Sequence, residues 1–246
     1  MDLKKKLAIF EEKYREMKRL VILSGAGMSA ESGIRTFRDM NGLWEEYDVM
    51  EVASIEAWYK NPELLLRFYN DRRKQMIESK PNQGHLLLAL LEKSYDVQII
   101  TQNVDDLHER AGSTKVLHLH GELTKARSSI DPSLIYTLQD PEMKMGDKCE
   151  KGSQLRPFIV WFGEEVPAMT DAVPIVESAD ILCIIGTSLN VYPAAGLINY
   201  APTSTPIFLI DPNPPASFPK KVQVIPKGAG EGVAELIIRL EELQKK

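Results

Sequence analysis

The chain has 246 residues, of which 43% are hydrophobic and 26% are charged, a composition that predicts one folded domain and excludes a disordered or fibrous chain. Its formal net charge of -5 argues against nucleic acid as the main partner. No apolar run approaches the roughly 20 residues of a membrane span, and the amphipathic start is typical of a helix rather than a signal peptide, so no membrane partner is expected. Two cysteines, Cys149 and Cys183, cannot build a disulfide framework, which favours a cytoplasmic location.

Short apolar runs alternate with helical patterns along the chain. In order, the runs are RLVILSG, VQIITQN, KVLHLHG, RPFIVWFG, ADILCIIGTS and TPIFLID. This alternation predicts an α/β fold in which helices cover both faces of a parallel, Rossmann-like sheet. Several runs end in small or amide side chains, and ligands of such sheets bind where strands end, so we expect one shared crevice.

Two stretches do not follow the alternation. Residues of about 40–95 have a helical pattern, and residues of about 123–152 are polar and rich in turns. We interpret both as insertions that build a smaller module within a single catalytic domain spanning residues 1–246. The large Rossmann-like part then comprises about 1–39, 96–122 and 156–246.

A glycine-rich turn, LSGAGMSAESGIRTFRD, follows the first predicted strand. Gly25 and Gly27 lack Cβ atoms where the chain turns sharply, and the N–H groups that follow can point at an anion. A tight turn without a ligand explains these glycines equally well, although Arg38 is a natural partner for a phosphate.

The run KVLHLHGE contains two histidines whose spacing of two places His118 and His120 on one face of a strand. No third histidine or cysteine shares the run, so the pattern predicts no metal site. Considered alone, each ring is better explained as a hydrogen-bonded structural histidine than as a catalytic one.

The predicted helix PELLLRFYNDRRKQMIES carries a charge on its apolar face. Leu65, Tyr69, Arg72 and Met76 share that face, whereas Arg73 points about 100° away and can be solvated. A partly buried guanidinium needs an anionic partner. Spacing alone favours an internal Asp or Glu over a ligand as that partner.

Five motifs, in order, resemble those of the sirtuins, a family of NAD-dependent protein lysine deacylases. They are GAGMSAESGIRTFR, TQNVDDLH, the HG at 120–121, the FGE at 162–164 and GTSLNVYPAA. The resemblance runs from about residue 20 to residue 240. It implies an enzyme that acts on acyl-lysine proteins or peptides, uses NAD as co-substrate and yields nicotinamide and O-acyl-ADP-ribose.

The resemblance also implies roles for single residues. His120 becomes the catalytic base, which suits an imidazole because its pKa lies near neutrality, and Asn103 becomes a second catalytic residue. For Asp105, capping of the following helix remains an equal alternative to a nicotinamide contact. The implied NAD contacts are Gly25, Ala26, Gly27, Ser29, Ile34, Thr36, Phe37, Arg38, Gln102, Asn103, Asp105, Gly186, Thr187, Ser188, Asp211 and Ala229.

Three positions depart from the family pattern. Arg35 stands where the family commonly has Pro, Asp39 where Gly is usual, and Asp211 where many members carry Asn. A carboxylate at Asp211 can still accept hydrogen bonds from ribose hydroxyls.

Further motifs concern the acylated substrate. Tyr69 and Arg72 match the Y-x-x-R pair of the sirtuin subclass that removes succinyl and malonyl groups, in which both side chains bind the distal carboxylate. The segments that hold the substrate peptide as an added strand imply contacts from Phe162, Gly163, Glu164 and Val191. Ordinary core packing explains Phe162 and Val191 equally well from composition.

The zinc-binding pattern of the family is missing. Sirtuins usually hold a structural zinc with two Cys-x-x-Cys pairs between the HG and FGE motifs, and here that interval contains only Cys149. Since structural zinc normally needs four protein ligands, we expect no zinc. The small module should instead be held by the apolar residues Leu134, Ile135, Tyr136 and Leu138.

Two other functions remain as alternatives. One is an NAD-dependent protein ADP-ribosyltransferase that uses the same pocket. The other is a non-catalytic sensor of NAD or ADP-ribose. The combination of His120, Asn103 and Asp105 argues against a sensor, because a sensor needs no base.

Overall fold

The computed structural model describes residues 17–35, 48–140, 142–215 and 222–244. The strands in these ranges are β1 (Arg19–Ser24), β2 (Asp96–Thr101), β3 (Val116–His118), β4 (Gly121–Ser128), β5 (Ile135–Thr137), β6 (Leu155–Ile159), β7 (Ile181–Ile185), β8 (Ile207–Ile210) and β9 (Val222–Ile225). The helices are α1 (Gly27–Ala30), α2 (Val49–Val52), α3 (Ile55–Lys60), α4 (Pro62–Glu78), α5 (Gln83–Leu91), α6 (Leu107–Arg110), α7 (Met169–Glu177) and α8 (Ala229–Gln244), with a 3₁₀ helix at Ala194–Tyr200.

Six strands form a parallel sheet in the order β3-β2-β1-β7-β8-β9, which confirms the predicted α/β fold. The central strand β1 is buried on both faces. Leu20 and Ile22 pack with α5 and α8 on one side, whereas Val21 and Leu23 pack with α7 and the 3₁₀ helix on the other. The chain order reverses between β1 and β7, and such a reversal places a crevice at the carboxyl ends of these strands.

The prediction for one apolar run is wrong. RPFIVWFG was expected in the parallel sheet, and β6 instead pairs antiparallel with β4 in a separate sheet of order β5-β4-β6. β6 therefore belongs to the small sheet, although its residues lie in the range expected for the Rossmann-like part. An apolar run indicates that a strand is buried and does not indicate which partner it pairs with. The parallel sheet gains β9 instead, whose mixed sequence VQVI gave no comparable apolar signal.

The small sheet packs on α4 through a core that sequence analysis placed elsewhere. Buried side chains of α4 meet Leu123, Ala126, Ile159 and Trp161. Of the four residues expected to hold the module, Leu138 packs at the edge of this core, while Ile135 is 45% exposed. β5 is an edge strand with a neighbouring strand on one side only.

Arg73 is buried rather than solvated, since its residue surface is only 2% exposed. Its Nε donates to the Leu123 carbonyl at 2.6 Å, and its NH1 donates to Asn70 Oδ1 at 2.9 Å. Burial lowers the pKa of Arg73 to about 10, so the guanidinium stays charged at neutral pH. The small sheet covers this flank of α4, and helical spacing cannot reveal such a cover. Arg73 thereby ties α4 to β4.

We expect Arg73→Met to lower the free energy of unfolding by about 1.5–3 kcal/mol, the usual range for hydrogen bonds from a charged group. Met keeps the aliphatic packing and removes the donors. Arg67→Met is the matched control, because Arg67 is exposed on the same helix. Urea unfolding of both variants measures the difference, and equal midpoints would contradict the assigned role.

Candidate functional site

The glycine-rich turn after β1 packs against the turn after β7. A Cβ atom on Gly25 would lie 2.7 Å from Thr187 Cβ, and one on Gly27 would lie 2.7 Å from Gly186 Cα. Gly186 itself has a φ of +60°, and a Cβ there would lie 2.4 Å from Met28 N. Glycine is therefore required at all three positions because two backbones meet there. The two turns would form the floor of the crevice that this strand order predicts.

The N–H groups of this turn are already partly used. Gly25 donates to the Ile185 carbonyl at 3.0 Å, and Gly27 donates to the Gly186 carbonyl at 2.9 Å. Neither of these two N–H groups is therefore directed at an anion. Among the described residues, the Ala26 N–H between them has no hydrogen-bond partner. Ala26 is thus the N–H of this turn that a ligand can use.

Three of the predicted polar residues form one buried cluster. Ser29 Oγ donates to Asp105 Oδ2 at 3.1 Å and accepts from Asn103 Nδ2 at 3.1 Å. Asp105 Oδ1 accepts from the Leu107 N–H at 3.2 Å, so the carboxylate also serves the start of α6. Burial raises the pKa of Asp105, although the hydrogen bonds from Leu107 and Ser29 oppose the rise. Because each carboxylate oxygen has two lone pairs, Oδ2 can accept a further bond from a ligand.

His120 has the protonation state of a base. Its Nδ1 lies 3.1 Å from the Gln102 carbonyl oxygen, and a carbonyl can only accept, so Nδ1 carries the hydrogen. Burial lowers the pKa of His120, and the Gln102 carbonyl offsets only part of this effect. The ring is therefore neutral at pH 7, with a lone pair on Nε2. Gln102 in turn donates from Nε2 to Thr187 Oγ1 at 3.1 Å, which joins the ends of β2 and β7.

His118 has the opposite state. Its Nδ1 lies 3.0 Å from the Asn103 carbonyl oxygen, and its Nε2 lies 2.8 Å from Glu109 Oε1. Burial alone would lower the pKa of His118, but Glu109, the Asn103 carbonyl and the charge of Glu122 together outweigh burial and raise it. The structural role that sequence alone favoured for both rings thus fits His118. The lone pair on Nε2 leaves His120 open to a catalytic role as well.

Sequence analysis missed a pair of buried histidines behind the glycine turn. His108 Nε2 lies 3.0 Å from Ser24 Oγ, and the Asn82 N–H donates to His85 Nδ1 at 3.3 Å. The two rings meet edge to face with centroids 4.8 Å apart. Burial lowers the pKa of His85 to about 4 and that of His108 well below its usual range. The Asn82-x-x-His85 capping pattern was the available sequence signal.

We expect this pair to make stability fall as the pH drops from about 6.5 to 5. The unfolded chain binds protons in that window and the folded chain does not, at about 1.4 kcal/mol per pH unit for each histidine. His118 acts in the other direction, because its stabilising contribution is complete below pH 6.5 and is lost at higher pH. Urea unfolding against pH measures the slope. His85→Gln should remove about half of the slope that this pair contributes, and an unchanged slope would contradict the assignment.

The predicted acyl-binding pair lies on the buried face of α4. Tyr69 Oη accepts from Trp161 Nε1 at 2.9 Å, and burial raises the pKa of Tyr69 to about 12, so the hydroxyl stays protonated. Arg72 is also buried. Burial lowers the pKa of Arg72, Tyr69 and Asp105 favour its charge, and Arg35 opposes it. Asp105 is therefore the candidate for the internal acid that spacing alone favoured as the partner of Arg72.

The side chain of Glu164 is engaged within the small sheet. Its Oε1 accepts from Arg127 and Arg156 at 2.7 Å each, and its Oε2 accepts from the Trp161 N–H at 2.9 Å. The Arg156 guanidinium also lies 3.6 Å from the centre of the Trp161 ring. The carboxylate thus joins strands of the small sheet, where both arginines need an anion. A substrate can reach only the backbone at this position.

The remaining peptide-binding candidates lie at the surface. Phe162 is 44% exposed, so core packing does not explain it. Its N–H donates to the Ala53 carbonyl at 2.8 Å, and its carbonyl accepts from the Ile55 N–H at 3.1 Å. An added strand must therefore use other backbone groups of this segment, such as those of Gly163. Val191 is half-buried, and its carbonyl accepts from Ala195.

The remaining candidates for NAD contacts lie in several elements. Ala229 is buried as the first residue of that helix, and the next N–H, of Gly230, donates to Glu31. Sequence analysis missed Glu31, which connects the glycine turn to α8. Asp211 Oδ1 accepts from the Asn213 N–H at 2.8 Å. Ser188 is exposed, and Ile34 is buried.

Several expectations lie outside what the structure tests. Thr36, Phe37, Arg38 and Asp39 are not among the described residues. Within the described ranges, no three or more His, Cys, Asp or Glu side chains are grouped so that they could hold a metal ion, and the expectation of no zinc stays a prediction for metal analysis. No helix in the described part of the chain is long and apolar enough to span a bilayer.

Comparison with known proteins gives consistent matches. The profile of the Sir2 family matches residues 25–193. An NAD-dependent protein deacylase of Bacteroides thetaiotaomicron is 58% identical over 226 residues, covering 89% of this chain and 97% of the relative. One of Helicobacter pylori is 55% identical over 228 residues, covering 92% and 99%. A Sir2 homologue in complex with NAD has a TM-score of 0.83 at 38% identity, covering 98% of this chain and 95% of that one.

Proposed function

This chain belongs to the Sir2 family, the sirtuins, and from that premise we propose that it is an NAD-dependent protein lysine deacylase whose pocket accepts acyl groups ending in a carboxylate. The observation that carries the proposal is a neutral His120 with a free Nε2 lone pair, beside the buried Ser29–Asn103–Asp105 cluster. These residues follow β1, β2 and β3, and parallel sheets bind ligands where the strand order reverses.

The residues of the crevice fit NAD. Gly25, Gly27 and Gly186 leave a floor without side chains, and the Ala26 N–H is available to a pyrophosphate oxygen. Asn103 offers an amide for the ribose hydroxyls. When bound, NAD supplies a ribose carbon from which nicotinamide can be displaced by the acyl-lysine oxygen.

His120 then takes a proton from a ribose hydroxyl at Nε2. The Gln102 carbonyl holds the hydrogen of the ring on Nδ1, and burial keeps the ring neutral, so both features favour a base at pH 7. Without the carbonyl, the ring could place its hydrogen on Nε2 instead. Gln102 therefore sets the tautomer of the base and also connects the ends of β2 and β7.

Tyr69 and Arg72 support the acidic acyl preference. The oxygen of Tyr69 already accepts a hydrogen bond from Trp161, so its own hydrogen remains to be donated to a ligand. Arg72 adds a buried positive charge on the same face of α4. A carboxylate at the end of a succinyl or malonyl chain matches a guanidinium and a hydroxyl donor.

Acyl-lysine peptides are the partners that follow from this proposal. The exposed Phe162, the backbone of Gly163 and the Val191 segment form the surface we assign to the peptide. The cytoplasmic location stays a proposal that rests on cysteine usage, since both cysteines are free and buried.

Mass spectrometry of acetyl-, malonyl- and succinyl-lysine peptides, with and without NAD, tests the proposal. We expect NAD-dependent loss of all three groups, with malonyl and succinyl peptides as good substrates, and formation of O-acyl-ADP-ribose. Deacylation without NAD would overturn the mechanism. Label transferred from the adenylate part of NAD onto protein would instead identify an ADP-ribosyltransferase, and binding without turnover would identify a sensor.

A further inference from the structure

Glu109 and His118 lie directly behind the Asn103 turn, and no step of the proposed reaction uses them. We propose that they form a proton-dependent positioning pair for Asn103, so that NAD affinity falls when His118 loses its proton. This inference rests on the proposed function, because it assumes that Asn103 contacts NAD.

The geometry requires two protons on His118. The Asn103 carbonyl can only accept, and an ionised Glu109 carboxylate can only accept, yet each lies within hydrogen-bond distance of one ring nitrogen. Both bonds exist together only in the imidazolium form. The hydrogen bond to Asn103 is then charge-assisted, which makes it about twice as strong as a neutral one.

Asn103 depends on this bond for its orientation. Its N–H donates to Thr101 Oγ1 at 3.0 Å, its Nδ2 donates to Ser29 Oγ at 3.1 Å, and its carbonyl accepts from His118. These contacts fix the backbone on both sides of the side chain that we assign to the ribose. The loss of one of them frees the peptide unit to rotate.

Deprotonation removes the bond to Asn103 rather than the bond to Glu109. A neutral imidazole has one N–H for two acceptors, and a carboxylate is a stronger acceptor than a peptide carbonyl. The remaining hydrogen therefore moves to Nε2. The Asn103 carbonyl then faces the lone pair of Nδ1, which repels it.

Charged groups from other elements also surround the His118 ring. Glu122 of β4 and Asp105 of the preceding turn favour the protonated ring. The charge of His118 lowers the pKa of His108 in α6, and the charge of Lys125 in β4 lowers the pKa of Glu109. Glu109 is the group that touches the ring, so it determines where the last hydrogen goes.

Nitrogen NMR of the imidazole rings tests the pair itself. The chain has only four histidines, and burial depresses the pKa of His85, His108 and His120. We expect one ring, His118, to titrate above pH 6.5 and to become the Nε2–H tautomer. In Glu109→Gln, the amide can donate to Nε2, so neutral His118 should instead keep its hydrogen on Nδ1. Titration of His118 below pH 6.5, or an unchanged tautomer in the variant, would overturn the proposal.

Calorimetric titration with NAD across the same pH range tests the consequence. In the wild type, affinity should fall about 3–10-fold as His118 deprotonates, the range of one hydrogen bond. In Glu109→Gln this alkaline fall should disappear, because the bond to Asn103 survives in the neutral ring. Glu78→Gln, which removes a charge from the exposed end of α4, should retain the fall.

The outcomes separate this proposal from the function it rests on. An equal alkaline fall in wild type and Glu109→Gln would show that another group controls affinity, and it would overturn the pair. Absence of NAD binding at every pH would contradict the proposed function, and the tautomer measurement would still decide whether the pair forms. A purely structural role predicts altered thermal stability in Glu109→Gln with an unchanged pH profile.

Discussion

Replacing His120 with asparagine is expected to lower the rate of deacylation by about 10²–10⁴-fold, the range that a general base supplies. Asparagine can still donate to the Gln102 carbonyl, so the local hydrogen bond survives while the basic nitrogen is lost. Steady-state turnover of an acetyl-lysine peptide at saturating NAD measures the effect. NAD binding should remain, because the glycine floor and the Ser29 cluster are unchanged.

The pH profile gives an independent check of the same residue. A base must be neutral to act, and burial lowers the pKa of His120, so wild-type turnover should fall only as the pH drops below about 6.5. His118→Asn is the matched control, since neither nitrogen of His118 is free, and it should keep turnover within about tenfold at saturating NAD. Turnover of His120→Asn within tenfold of the wild type would refute the assignment.

The fold could be predicted where burial alone decides the structure. The strands β1, β2, β7 and β8 are apolar runs covered on both faces, and each was identified from that pattern. β6 was placed in the wrong sheet because an apolar run does not specify its partner. Strand pairing depends on residues far away in the chain, such as those of β4.

The candidate site, like the fold, could be predicted only in part. The spacing of His118 and His120 indicated a shared face, but their opposite protonation states depend on Glu109 and the Gln102 carbonyl, which no local pattern reveals. The FGE motif assigned the Glu164 segment to the substrate peptide, and it gave no sign that Arg127, 37 residues away, binds the Glu164 carboxylate. Motifs therefore indicated which residues to consider, while tertiary contacts decided the chemical state of each group.

Arg72→Met is expected to lower kcat/KM for a succinyl-lysine peptide by about 10²–10³-fold, the range for losing one partner of a buried charge pair. The acetyl-lysine peptide has no distal carboxylate, so its kcat/KM should change by less than about tenfold. Tyr69→Phe removes one donor and should lower the succinyl value by about tenfold. Kinetics with matched acetyl and succinyl peptides give the ratio of the two values, which is the quantity that matters.

The control for this prediction is Arg67→Met, which removes an exposed arginine from the same helix and should leave both substrates unaffected. Met has a volume close to that of the arginine stem, so Arg72→Met should remain folded, and circular dichroism verifies this. Asp105 is the internal acid near Arg72, and a pairing between these two residues predicts a different result for the two substrates. If Arg72 serves only Asp105, the NAD site suffers and both substrates lose activity equally. An equal loss in a folded variant would therefore assign Arg72 to Asp105 and refute the acidic acyl pocket.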